Sequence, residues 1–129
     1  MAELSTYMED RIVNFMRNVA ITDEAAVYVA LFTADDGLEA GTITSEVSGG
    51  SYARQLAGLS ASSDGVSSNA SDITFPTATA NWGTVTYIAL LDASTAGNVI
   101  MHSAIDVNKT VNDGDTFKIN AGDLDVTIA

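Results

Sequence analysis

From Asp23 to the end, the chain reads as short β-branched and aromatic runs, separated about every ten residues by clusters of Gly, Asn, Asp and Ser. This punctuation constrains the fold more than any other feature. Each run is long enough for a strand and too short for a helix, and no helical period of three to four residues recurs among them. The segment Ala26 to Thr33 carries Val27, Tyr28, Val29, Leu31 and Phe32 without a breaker and predicts a buried strand. Thr84 to Leu91 predicts the strongest strand, paired with Asn98 to Ile105 across Asp92–Gly97. A further strand is expected over Ser51 to Leu59, and a short one over Asp72 to Phe75, ended by Pro76, the only proline. Ala34 to Gly50 reads as a loop with a short edge strand around Thr42 to Thr44, and Ser60 to Asn69 as an exposed loop or hairpin. Lys109–Val111, Thr116–Ile119 and Leu124–Ile128 complete the set, separated by Asn112-Asp113-Gly114 and Asn120-Ala121-Gly122. Seven or eight strands so spaced predict a mainly β protein: a single β-sandwich, jelly-roll-like, over residues 23–129.

Residues 1–22 differ. Leu4, Tyr7, Met8, Ile12, Phe15, Met16 and Val19 recur at three- and four-residue steps, which predicts an amphipathic helix from Glu3 to Val19 followed by a connection. Such a stripe must be covered, either by the chain's own β domain or by a partner. Leu4, Tyr7, Met8, Ile12, Phe15 and Met16 are therefore the candidate partner-binding residues.

Charge narrows the functional classes. Five Lys and Arg face 17 Asp and Glu among 129 residues, for a net charge of -12. The cations Arg11, Arg17, Arg54, Lys109 and Lys118 are scattered, so neither nucleic acid nor an anionic membrane is an expected partner. No apolar run approaches ~18 residues. Acidic Glu3, Glu9 and Asp10 stand where a secretory leader would carry Lys or Arg, so a protein made and kept in a cytoplasm, or leaving by another route than secretion, is expected. The chain has no cysteine and one histidine, His102, so neither thiolate chemistry nor the common zinc sites are expected.

The remaining motifs read structurally. Asp113 and Asp115 flank Gly114, Asp123 and Asp125 flank Leu124, and Asp35-Asp36 precedes Gly37. Calcium or a glycosidase would need these oxygens to converge, yet no Glu stands at the twelfth position of a calcium loop, and Asp is an ordinary turn former. His102 and Ser103 point to opposite faces of a strand and cannot act as a dyad. Gly49 and Gly50 lack the Lys-Ser/Thr pair of a phosphate loop. Trp82 fits a core position, or alternatively a sugar platform flanked by Asn81 and Asn98. The chain is read as no enzyme, with no cofactor and no metal.

Several blocks together resemble a family. Tyr28-Val-Ala-Leu-Phe-Thr33, Glu46-Val-Ser-Gly-Gly-Ser-Tyr-Ala-Arg-Gln55, and Ile73-Thr-Phe-Pro-Thr-Ala-Thr-Ala-Asn-Trp-Gly-Thr-Val-Thr86 are similar to blocks of short phage virion proteins. Ala89-Leu-Leu-Asp92, Gly97-Asn98, Lys109-Thr-Val-Asn-Asp-Gly-Asp-Thr-Phe117, Ala121-Gly122 and Val126-Thr-Ile128 continue the match in the family's order. These proteins carry names such as phage tail fibre protein or virion structural protein. After Gln55 the chain departs from the commoner apolar run with Leu56-Ala-Gly-Leu-Ser60, where Gly58 suggests a bulge or close contact. The resemblance implies a bacteriophage virion protein with no catalytic motif. A compact chain of this length has a radius of gyration of ~14 Å and cannot span a long fibre alone. The leading expectation is accordingly a capsid-surface cement or decoration protein, held to the major capsid protein by many weak contacts and homo-oligomeric, with a trimer favoured. A module associated with tail proteins or fibres is the alternative, and a carbohydrate-binding module a further one.

Overall fold

The computed structural model describes residues 2–128; the outermost residues of the two expected segments, 1 and 129, lie outside the described residues. Its elements in chain order are β1 (Glu3–Leu4), α1 (Thr6–Met16), β2 (Tyr28–Phe32), a 3-10 turn (Leu38–Ala40), β3 (Gln55–Leu56), β4 (Val66–Ser68), β5 (Ile73–Thr74), β6 (Gly83–Leu91), β7 (Val99–Val111), β8 (Lys118–Ile119) and β9 (Asp125–Thr127). One antiparallel sheet runs in the order β1-β7-β6-β2-β3. Two ribbons, β4-β9 and β5-β8, cover one of its faces, giving a mainly β, sandwich-like fold.

Strand β2 is an interior strand, between β6 and β3, and its unbroken apolar run suits that place. Val29 and Leu31 point into the core shared with Ile73, Phe75, Val85 and Leu124. Ala30 and Phe32 point to the opposite face, where Leu38 of the 3-10 turn and Leu91 cover them. A strand covered on both faces needs no polar alternation. Tyr52, Phe75, Trp82 and Phe117 fill the larger core, with Tyr52 edge-on to Trp82 at 5.4 Å and Phe75 edge-on to Phe117 at 5.6 Å.

The β6–β7 hairpin forms as its turn chemistry predicts. Asp92 Oδ1 accepts from the Asn98 backbone N–H at 2.7 Å and closes the connection. Gly97 sits there at φ +79°, and a Cβ would lie 2.6 Å from that same oxygen, so only glycine fits.

Several boundaries differ from expectation. The expected helix from Glu3 begins only at Thr6, because Leu4 pairs with Met101 as part of β1 and Ser5 caps the helix. The strand expected over Ser51–Leu59 shrinks to Gln55–Leu56: Gly49, Gly50 and Ser51 have positive φ on one side and Gly58 on the other. The edge strand expected near Thr42–Thr44 is absent, and only Glu46 bridges to Phe32. The strands expected at Asn98–Ile105 and Lys109–Val111 are one strand, β7, whose pairing with β6 jumps from Tyr87↔Ala104 to Val85↔Lys109. The expected break thus survives as a bulge of several residues. Within the Ser-rich loop, Val66–Ser68 forms β4 against the C-terminal strand.

Candidate interaction surface

The N-terminal arm, β1 with α1, is pinned at one end. The Ser5 backbone N–H donates to the Ile100 carbonyl at 2.9 Å, and its hydroxyl donates to the Val99 carbonyl. That hydroxyl oxygen also accepts from the Met8 N–H at 3.3 Å, serving as the N-cap. Thr6 Oγ1 donates to Glu39 Oε1 at 3.3 Å, linking the first helical residue to the 3-10 turn. The middle of α1 is tied through Arg11. Its guanidinium lies 5.2 Å from the Tyr7 ring centroid, donates to the Tyr7 hydroxyl at 3.1 Å and to the Thr22 carbonyl, and meets Glu24 at 3.1 Å. Asn18, at φ +64°, ends the helix in the left-handed conformation that Asn tolerates.

The six candidate partner-binding residues therefore separate. Leu4 and Met8 pack against the main core. Tyr7 and Ile12 are half-buried. Phe15 and Met16 stand 64% and 77% exposed, beside Val13 and Val19, so the last helical turn and the residues after it carry an apolar surface. No residue of α1 is buried.

The other sequence candidates are structural. Trp82 is 6% exposed and donates its indole N–H to the Gly50 carbonyl at 2.9 Å. This corrects the sugar-platform reading, since a buried indole offers no stacking face. Asn81 accepts from the Asp113 N–H and Asn98 donates to Asp92, so both flanking amides are used in turns. Asp115 accepts from the Asn112 N–H at 2.9 Å. Asp35 accepts from the Gly37 and Leu38 N–H groups at 3.1 and 2.9 Å. The Leu38 bond foremost holds the Asp35 carboxyl below its ordinary value, against the opposing cost of burial. Asp123 and Asp125 stay outward while Leu124 between them enters the core. The two acids, with Asp106, rim a cleft of about 350 Å³ whose floor includes Met101, Phe117 and Leu124.

Two arrangements were not visible in the sequence. Arg54, one of five scattered cations, is 8% exposed and binds Glu46 in a two-pronged pair with both N–O distances 2.7 Å. Its Nη1 also donates to the Ala93 and Ala96 carbonyls at 2.8 Å each, clamping the Ala34–Gly50 loop to the β6–β7 connection. The Glu46 carboxylate raises the Arg54 pKa, against the opposing effect of burial. The Tyr52 hydroxyl donates to Glu46 at 2.7 Å and accepts from the Leu31 N–H at 3.0 Å, and its burial raises the phenol pKa. The second is a meeting of His102, Glu39 and Glu3, where His102 Nε2 lies 3.0 Å from Glu39 Oε2. Both depend on contacts between distant segments that spacing does not encode.

The family model described as podophage GP4 fiber I protein gp80 matches residues 3–127. No curated protein matches the chain. The family match covers nearly the whole length, and the chain belongs to that family.

Proposed function

We propose that this phage virion structural protein is a non-catalytic, fibre-associated subunit that docks on a neighbouring protein of the same virion through the outer face of α1. The observation that carries the docking surface is the exposure of Val13, Phe15, Met16 and Val19 on an arm whose other end is bonded to β7. The fold gives that surface a rigid base, and the net charge of -12 keeps the rest of the molecule from associating indiscriminately. The family's description as a fiber protein supports a fibre location over the capsid-cement role that leads from sequence alone. Leu4 and Met8 support the surface from beneath rather than touching the partner, and Tyr7 and Ile12 form its rim. Both edges of the main sheet are short: β1 and β3 have two residues each. Docking by side chains from the helix is therefore favoured over strand addition.

The test is copy number in purified virions, measured by quantitative mass spectrometry against the major capsid protein. A fibre-associated subunit is expected far below one copy per capsid subunit. A ratio approaching one would overturn the fibre location and restore the cement reading.

A further inference from the structure

We propose that Glu3, Glu39 and His102 form a binding site for a divalent transition-metal ion of the zinc class, one that fastens the N-terminal arm to the sheet. The three side chains come from three separate segments. Glu3 on β1 is the direct cross-strand partner of His102 on β7, so their side chains share one face of the sheet. Glu39 is delivered onto that face by the 3-10 turn, whose position is fixed by fully buried Leu38 and by the two N–H groups that Asp35 accepts. One ligating atom from each residue lies within 4.8 Å of the other two. His102 Nε2 and Glu39 Oε2 are already 3.0 Å apart. Ligand atoms around a tetrahedral zinc ion with bonds of about 2.1 Å stand roughly 3.4 Å from each other. Glu3 is exposed, so its carboxylate can swing the remaining distance by a rotamer change.

Charge points to a cation here. Two carboxylates converge in a chain of net charge -12, and among the described residues neither is paired with a lysine or arginine. Their only cationic relief is His102, whose imidazole is 6% exposed and carries a charge only when protonated. A divalent ion relieves both carboxylates at once and uses the neutral imidazole as a ligand. The donor set of one nitrogen and two oxygens suits zinc and its first-row neighbours better than calcium, which favours oxygen alone. The physical consequence lies in the arm: β1 contributes two residue pairs to the sheet, and a metal bridging β1, the 3-10 turn and β7 would add a fastening to those made through Ser5, Thr6 and Arg11.

The experiment uses the full chain without a histidine tag, freed of metal by chelation. Zinc is titrated against a competing chromogenic chelator, and hydrogen exchange is followed with zinc or with magnesium. One zinc ion per chain is expected, with slowed exchange at the amides of Leu4 to Met16 under zinc alone. His102→Ala and Glu3→Gln should each weaken zinc binding by about tenfold or more. Because Glu3 is exposed and its carboxylate faces that of Glu39, Glu3→Gln should not lower the metal-free melting temperature, which separates lost ligation from lost folding. Absence of stoichiometric zinc binding, wild-type affinity in either variant, or protection of the arm equal in magnesium would each overturn the assignment.

Discussion

Strand β2 buries Val29, Ala30, Leu31 and Phe32 completely, whereas the eleven residues of α1 include none that is buried. Strand β2 is apolar at every position, whereas α1 carries one apolar stripe beside Glu9, Asp10, Arg11 and Asn14; the strand is enclosed on two faces and the helix leans on the sheet by a few side chains. The difference teaches where each stripe goes. An unbroken apolar run that sits inside a sheet covered on both faces is consumed by folding. An apolar helix tied down at Ser5 and Arg11 keeps its last turn available for something else. The β2 region holds the most deeply buried side chains of the molecule, and the end of the arm leaves Phe15 and Met16 in solvent.

Substitutions should separate the two regions sharply. The largest effect is expected at Phe32, where replacement by alanine leaves a cavity between β2 and the 3-10 turn. Phe32→Ala should cost about 3–5 kcal/mol in denaturant unfolding. A cost below about 1 kcal/mol would mean that the second face of β2 is not closed as described. Next comes the clamp. Arg54→Met strips the buried partner from Glu46, whose side chain is 15% exposed, and should cost about 3 kcal/mol. The double variant Arg54→Met with Glu46→Gln should recover part of that loss, because no carboxylate is then left without its cation. If the double variant is no better than the single one, the clamp's worth lies in the bonds from Arg54 to the Ala93 and Ala96 carbonyls instead.

The arm should respond more mildly. Ser5→Ala removes the N-cap and the bond to Val99, with an expected loss of about 1 kcal/mol. Limited proteolysis should then cut first within α1 while the β core stays intact; simultaneous loss of both would break the comparison. The smallest effect is with pH. Asp35 and Asp72 both have carboxyls held below their ordinary value of 3.8, Asp35 foremost by the Leu38 N–H and Asp72 foremost by the Ala121 N–H and then by Lys118. A depressed folded-state pKa contributes stability that is present above the unfolded value and lost as pH falls through the folded one. The melting temperature should therefore drift downward below pH 4. Asp35→Asn should flatten the part of that drift due to the 3-10 turn.

How much of this is legible in the sequence follows from the range of the contacts involved. Strands β2 and β6 are visible because burial, turn residues and β-branched side chains agree locally. The start of α1 is misplaced by three residues because Leu4 fits a helical stripe as well as it fits a strand, and only pairing with Met101 decides. Ser51–Leu59 looks like a strand because Tyr52, Arg54 and Leu56 alternate with smaller residues. Tyr52 and Arg54 are instead drawn to Glu46, and the flanking positive-φ residues bend the chain away from a ladder. His102 reads as an isolated strand histidine because Glu3 and Glu39 reach it from other segments. The apolar character of Phe15 and Met16 is plain in the sequence, but their exposure depends on where α1 leans.

The most direct test of the division between stable core and contact arm is the double variant Phe15→Ser with Met16→Ser. Both side chains face solvent, so unfolding stability should change by no more than about 0.5 kcal/mol. Virions assembled with this variant in place of the natural chain should contain little or none of it when counted by mass spectrometry. Incorporation at the natural copy number, with stability intact, would contradict the assignment of the outer face of α1 as the surface that holds this protein in the virion.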